Sequence, residues 1–200
     1  MADYPATRAT AIALGEEERL IRQGYDFLDE KRMLLAGEIM RQLDDWKRLR
    51  EAYGAAMASA REALGAAIID HGLEELQVHP PVGEGVDLAE VRRSDFLGVR
   101  LVHVAAQEET GKKVALESDS VVRCASAFRA LIPLAQRMAA ASGNLHRLAD
   151  EYARTERRAS ALENVLLPEI ANALKTIDEQ LEEVDLEEAV RVRLAGRRIG

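Results

Sequence analysis

The stretch that decides the fold is residues 14–67, LGEEERLIRQGYDFLDEKRMLLAGEIMRQLDDWKRLREAYGAAMASAREALGAA. Stepping by seven from Leu14 gives Ile21, Leu28, Leu35, Gln42, Leu49, Ala56 and Ala63. Stepping by seven from Glu18 gives Tyr25, Arg32, Ile39, Trp46, Tyr53, Ala60 and Ala67. Most members of both series are apolar, and their alternating four-then-three spacing is the seam of a left-handed coiled coil. A globular helix typically ends within about 20 residues, so persistence of this kind points to a long coil. The pattern opens near Ala9 and is stopped by Gly72 and by His79-Pro80-Pro81.

A second helical pattern starts near Glu117 and runs almost to the C-terminus. Its seam passes through Leu131, Leu134, Met138, Ala141, Leu145, Leu148, Tyr152, Thr155, Ala159, Leu162 and Leu166. The phase then moves, and Ile170, Leu174, Ile177, Leu181 and Val184 form a seam displaced by an extra four residues. Such a stutter locally unwinds the supercoil. Pro168, which removes one backbone hydrogen bond, stands at the shift, so a bend is expected near residues 164–170. At about 1.5 Å per residue the two helices would extend roughly 90 and 120 Å. Neither apolar stripe is wide enough to hold a helix alone, so each needs the other.

The expected fold is all-α: a long antiparallel two-helix coiled coil with a short β-hairpin or irregular lobe in the middle of the chain. The segments are a tail over 1–8, a first helix over 9–72, a connector over 73–116, a second helix over 117–196 and a tail over 197–200. Facing residues in such a hairpin have numbers adding to about 189, and 181–200 projects beyond its partner helix. Val86–Val91 and Val99–Val104 are the strand candidates, with Ser94–Gly98 as their turn and 106–113 exposed.

Composition narrows the function. Aromatic residues are 4% and charged residues 31%, the profile of long helices that bury a narrow stripe. A net charge of −8 argues against nucleic acid as a partner. The single cysteine, Cys124, rules out an intramolecular disulfide and fits a reducing compartment. No apolar run approaches the roughly 20 residues that span a bilayer, and the N-terminus lacks the regions of a signal peptide. Cytoplasmic location is the expectation.

Chemistry is hard to find. The histidines, at 71, 79, 103 and 146, have no acidic residue three positions earlier, and neither His-Glu-x-x-His nor Cys-x-x-Cys occurs. Gly111-Lys112 lacks the upstream glycine and the following Ser or Thr of a phosphate loop. No catalytic residue, cofactor or metal is expected. Asp178–Glu188 carries seven acids and is followed by Arg191, Arg193, Arg197 and Arg198. One reading is a solvated helix with compensating end charges. The other is a charged tip that seats inside a partner ring.

Several segments, in order along the chain, resemble the D subunit of V-type (archaeal/vacuolar-type) ATPases and ATP synthases. Pro5-Ala6-Thr7-Arg8 looks like the family's opening signature, and Gly24–Arg32 is similar to its Gly-x-x-Leu-Leu-Lys-x-Lys-Arg. Arg157-Arg158-Ala159-Ser160-Ala161-Leu162-Glu163, followed by Leu167-Pro168, resembles Arg-Arg-Val-Asn-Ala-Leu-Glu and an apolar-Pro pair. Ile177 with Leu181-Glu182-Glu183 continues the spacing, and Phe96–Leu101 is like the family's connector strand. Asp29, Met33 and Ser160 depart from the usual Lys, Asp and Asn.

The resemblance implies a non-catalytic central rotor shaft that carries torque between the catalytic hexamer and the ion-translocating membrane ring. The implied partners are the catalytic and regulatory subunits, the small central-stalk F subunit and the subunit capping the ring. The chain would be peripheral on the inner face of the membrane, without inserting. Candidate shaft–hexamer contacts are Lys31, Arg32, Arg157, Arg158, Glu163, Glu182, Glu183, Arg191 and Arg193, with Pro168 at the helix bend. Two alternatives compete. A prefoldin-like holdase also sets a β element between coiled helices, but it calls for apolar helix tips and shorter helices. A parallel scaffold dimer would set Arg32 against Arg32.

Overall fold

The computed structural model describes residues 4–78, 90–105 and 118–197. It comprises α1 (Arg8–Val78), β1 (Val91–Phe96), β2 (Val99–Val104), α2 (Asp119–Ala161), a π-helical turn (Leu162–Leu166) and α3 (Leu167–Arg197). The chain forms two compact units, Met1–Leu34 with Tyr152–Gly200, and Leu35–Glu151. The fold is long helices with one small antiparallel hairpin, as the heptads require.

Burial follows the seam closely. Along α1, Leu14, Leu35, Gln42, Ala60 and Ala67 are buried, and the other positions of both heptad series are half-buried. Gln42 is a polar seam residue that stays satisfied, because its Nε2 donates to Glu38 Oε1 at 2.9 Å. Gly72 breaks α1 as the sequence suggests, with φ 77 and ψ 159, a region that only glycine enters cheaply. The helix nevertheless resumes beyond it to Val78, six residues past the expected stop.

In the unit containing both terminal segments, the facing pairs run antiparallel. Arg8 meets Asp185, Gly24 lies against Leu162, and Arg32 meets Glu156. The phase change takes a different form from a four-residue stutter. Leu167 N–H donates to Leu162 O, five residues back, so the ladder widens by one residue. Leu162 and Leu167 are both half-buried whereas Leu166 is 39% exposed, so the seam steps from 162 to 167 and resumes at the buried Ile170 and Ile177. Pro168 explains why the α ladder fails here: it has no N–H for Asn164 O, and its ring crowds that carbonyl. The Asn164 side chain donates instead to Ser160 O at 3.1 Å. Val184, placed on the seam by spacing, is exposed.

In the Leu35–Glu151 unit, His71 Nε2 and Ser118 Oγ lie 2.6 Å apart, on the expected register, and tie α1 to the residue preceding α2. The hairpin's first strand differs from expectation. Residues 94–96 belong to β1, and the turn is only Leu97-Gly98, both with positive φ (52 and 86). Positive φ at both central residues marks a type I′ turn, whose twist suits a tight hairpin. Asp95 Oδ1 accepts the Gly98 N–H at 3.0 Å and stabilises it. The register pairs Phe96 with Val99 and Val91 with Val104. Residues 86–89 of the strand expected over 86–91, and the loop 106–113, lie outside the described residues.

Helix glycines offer a simple stability test. A Cβ built on Gly15, Gly37 or Gly54 meets nothing within 4 Å. Alanine at each position is expected to raise stability by about 0.5–1 kcal/mol, since only backbone freedom is removed. Alanine at Gly72, held at φ 77, should lower it. Denaturant midpoints of the four variants check both signs.

Candidate functional site

The charged candidates divide into engaged and free-standing groups. Arg32 occupies a seam position, where its aliphatic stem is covered and its guanidinium reaches the rim. Nη1 donates to Glu156 Oε2 at 2.7 Å and Nη2 to Asp29 Oδ1 at 2.5 Å. The hydrogen bond to Glu156 is the main cause that raises the Arg32 pKa above its ordinary value. Arg32 is therefore a clamp between α1 and α2 within this unit, and its partners Asp29 and Glu156 were not among the sequence candidates. Their acidic type was readable; the pairing with Glu156 across 124 positions of chain was not.

Close by, Tyr25 is half-buried and its phenol is pushed up, first by burial and then by the charge of Glu163. Glu163 itself is exposed. Lys31 is half-buried and engaged. Arg191 is exposed and held by Glu187 at 3.0 Å. Arg157, Arg158, Glu182, Glu183 and Arg193 are exposed on α2 and α3, and Pro168 is exposed at the start of α3. The register brings Gly24–Arg32 and Arg157–Glu163 together, while Glu182, Glu183, Arg191 and Arg193 lie further along α3.

Two uncovered apolar stripes belong to the same unit. Leu20, Phe27 and Leu34 repeat every seven residues on α1 and are all exposed. On α3, Leu186, Val190 and Leu194 share a helix face at four-residue spacing and are 68%, 54% and 58% exposed. The unpaired extension begins later than Leu181, because Leu181 is half-buried and Asp185 is bonded to Arg8 at 3.1 Å. Helix stripes of this kind normally face a neighbour. The spacing of the α1 stripe was present in the sequence beside the stronger seam, and it passed unnoticed there. The tip is also less purely charged than its composition suggested, so the contrast drawn with apolar holdase tips loses force.

The other unit contains a polar clamp that sequence reasoning missed. Asn144, only 2% exposed, accepts from Val102 N–H and donates to Val102 O, both at 2.8 Å. Ala105 N–H donates to Glu90 O, which sets the parity of the ladder: Arg100, Val102 and Val104 point their backbone groups away from β1. Asn144 thus completes the outer edge of β2 as a strand would, with Arg147 donating to its Oδ1 at 2.7 Å. Beneath the hairpin, Glu38 accepts from Arg41 Nε at 2.8 Å and Nη2 at 2.5 Å. These bonds, ahead of all other causes, hold the Glu38 carboxyl below its ordinary range.

Nothing among the described residues resembles a reaction centre. No cluster of three or more His, Cys, Asp or Glu side chains is placed to hold a metal ion. His103 is occupied with Ser94 Oγ at 2.8 Å. Burial pushes the Cys124 thiol up, which disfavours the reactive thiolate. No described helix is long and apolar enough to cross a membrane.

Comparison with known proteins agrees with this arrangement. The family model for the ATP synthase D subunit matches residues 10–197. The V-type ATP synthase D subunit of Thermotoga neapolitana is 27% identical over 190 residues, covering 94% of each chain. The A-type ATP synthase D subunit of Pyrococcus abyssi is 29% identical over 196 residues, covering 94% of this chain and 90% of that one. The match spans both helices and the hairpin between them, leaving neither a holdase nor a generic scaffold as the assignment. The chain belongs to the ATP synthase D-subunit family, and so is one component of a V/A-type ATP synthase.

Proposed function

We propose that this protein is the central stalk of the enzyme, a shaft that transmits torque between the catalytic hexamer and the membrane ring and catalyses nothing itself. The observation that carries the reading is the pair of uncovered stripes, Leu20–Phe27–Leu34 and Leu186–Val190–Leu194, in the unit built from the terminal segments. Apolar side chains left this open on a charged helix are ready to be covered by a surrounding partner. The charged residues beside them would set orientation within it. Catalytic and regulatory subunits are the proposed neighbours there. The hairpin-bearing unit would serve the small F subunit and the subunit capping the ring, so that the chain is held at the inner membrane face through the complex.

Torque transfer requires a member that resists twisting. Continuous side-chain packing along the seam supplies that stiffness, and the Arg32 clamp adds a polar cross-link. Affinity purification of the tagged chain from native membranes tests the assignment: catalytic and regulatory subunits plus a small partner should appear in fixed stoichiometry. A chain recovered alone would overturn it. Removing the charges of Lys31, Arg32, Arg157 and Arg158 together should leave ATP hydrolysis running while ion pumping per ATP falls severalfold. Unchanged coupling would dismiss these residues as contacts. The Arg157/Arg158 pair alone separates partner contact from loss of the internal clamp, since both are exposed.

A further inference from the structure

The hairpin-bearing unit contains a groove of about 550 Å³ between α1, β2 and α2. Leu49, Val102 and Leu134 give its lining apolar surface, beside the polar Gln42, His103 and Asn144. Its rim is basic. Arg41, Arg48 and Arg137 line it, against one lining carboxylate, Asp45. Arg41 is held by Glu38 and Arg48 by Asp45 at 2.6 Å, whereas Arg137 is exposed and has no carboxylate partner among the described residues. A chain of net charge −8 thus gathers an excess of positive charge around one groove.

We infer that this groove docks an acidic segment of a partner protein, one that turns its carboxylates to Arg137 and Arg48. Three features select that occupant. A small anion needs several convergent donors in an enclosed site, and here the cations stand apart on an open rim. Nucleic acid is disfavoured by the overall charge. A protein segment can meet both the mixed lining and the basic rim, whose charges select acidic residues. Asn144 fixes β2 as one wall, so the groove is already shaped before any partner arrives.

The inference deepens the central-stalk reading, which supposes partners at this unit, yet its test is separable. A photo-crosslinking residue replaces Ala52, an exposed position on the groove wall, and intact cells are irradiated before the tagged chain is purified. The expected adduct is one peptide of another protein, richer in Asp and Glu than in Lys and Arg. Its yield should fall about tenfold in Arg137→Glu and in Arg48→Glu, whose folding is checked by helical circular dichroism. Reversing an acid of the captured peptide to Arg should restore the yield with Arg137→Glu. An adduct with a neutral or basic peptide, a lipid, a nucleotide or a second copy of this chain overturns the inference, as does no adduct at all. Whether catalytic and regulatory subunits co-purify is read from the same sample and judges the central-stalk reading alone.

Discussion

Asn144→Ala is expected to free the hairpin from α2 and to lower stability by about 2–4 kcal/mol, the loss of two hydrogen bonds plus the burial of unsatisfied backbone groups at Val102. Hydrogen exchange would localise the effect, with the amides of β2 losing protection while those of residues 9–34 keep theirs. Asn144→Asp makes a sharper comparison. Its carboxylate can still accept from Val102 N–H but repels Val102 O, so its penalty should approach that of alanine despite the near-identical shape. If both variants keep wild-type stability and exchange, Asn144 does not hold the hairpin.

How far the fold was readable depends on how local its causes are. The seam needs only residue type at fixed spacing, so Leu14, Leu35, Ala60, Leu148, Ala159 and Ile177 were legible, and all are buried. The phase change was legible through Pro168, but its form was not. Leu166 and Leu167 are equally apolar, and only the backbone ladder decides which one faces inward. The first strand was expected over 86–91 and β1 lies at Val91–Phe96, because Val-Arg-Arg-Ser-Asp-Phe is almost wholly exposed and carries no alternating apolar face. The turn was expected over Ser94–Gly98 and narrows to Leu97-Gly98, because leucine is an unusual occupant of a positive-φ position.

The site shows the same division. Charged residue types were visible, yet Arg32 turned out to bond Asp29 and Glu156 within the chain. The Glu156 pairing depends on register to the residue, which a repeating pattern leaves undetermined. Asn144 stood beside the seam residues Ala141, Leu145 and Leu148, and nothing local announced that a strand 42 positions earlier would come to rest on it.

The second large effect concerns the tip. Replacing Leu186, Val190 and Leu194 together with Asp should leave the helix content nearly unchanged, because all three are exposed and the seam ends before them. Assembly should suffer instead. Each side chain that would be buried by a surrounding partner forfeits about 1.5–3 kcal/mol of transfer free energy, and a buried carboxylate adds a desolvation cost. The enzyme should then show at least a tenfold loss of ATP-driven ion pumping, together with weaker retention of this protein on the purified catalytic part. Wild-type pumping with the triple variant would mean that the stripe meets nothing of consequence. Replacement by Met, Ile and Met, which keeps the apolar character, should preserve function and guards against reading helix damage as lost contact.

A two-stranded sheet has two edges, and this one treats them differently. Asn144 occupies the outer edge of β2 at Val102, so no foreign strand can add there without displacing a buried amide. β1 keeps its outer edge, with the backbone groups of Val91, Arg93 and Asp95 turned outward. Its protection against polymerisation is electrostatic: Arg92 and Arg93 are exposed there, and a second hairpin approaching in the same way would bring like charges together. The hairpin is therefore a closed sheet among described elements that are otherwise helical, sealed on one side by an amide and on the other by repulsion.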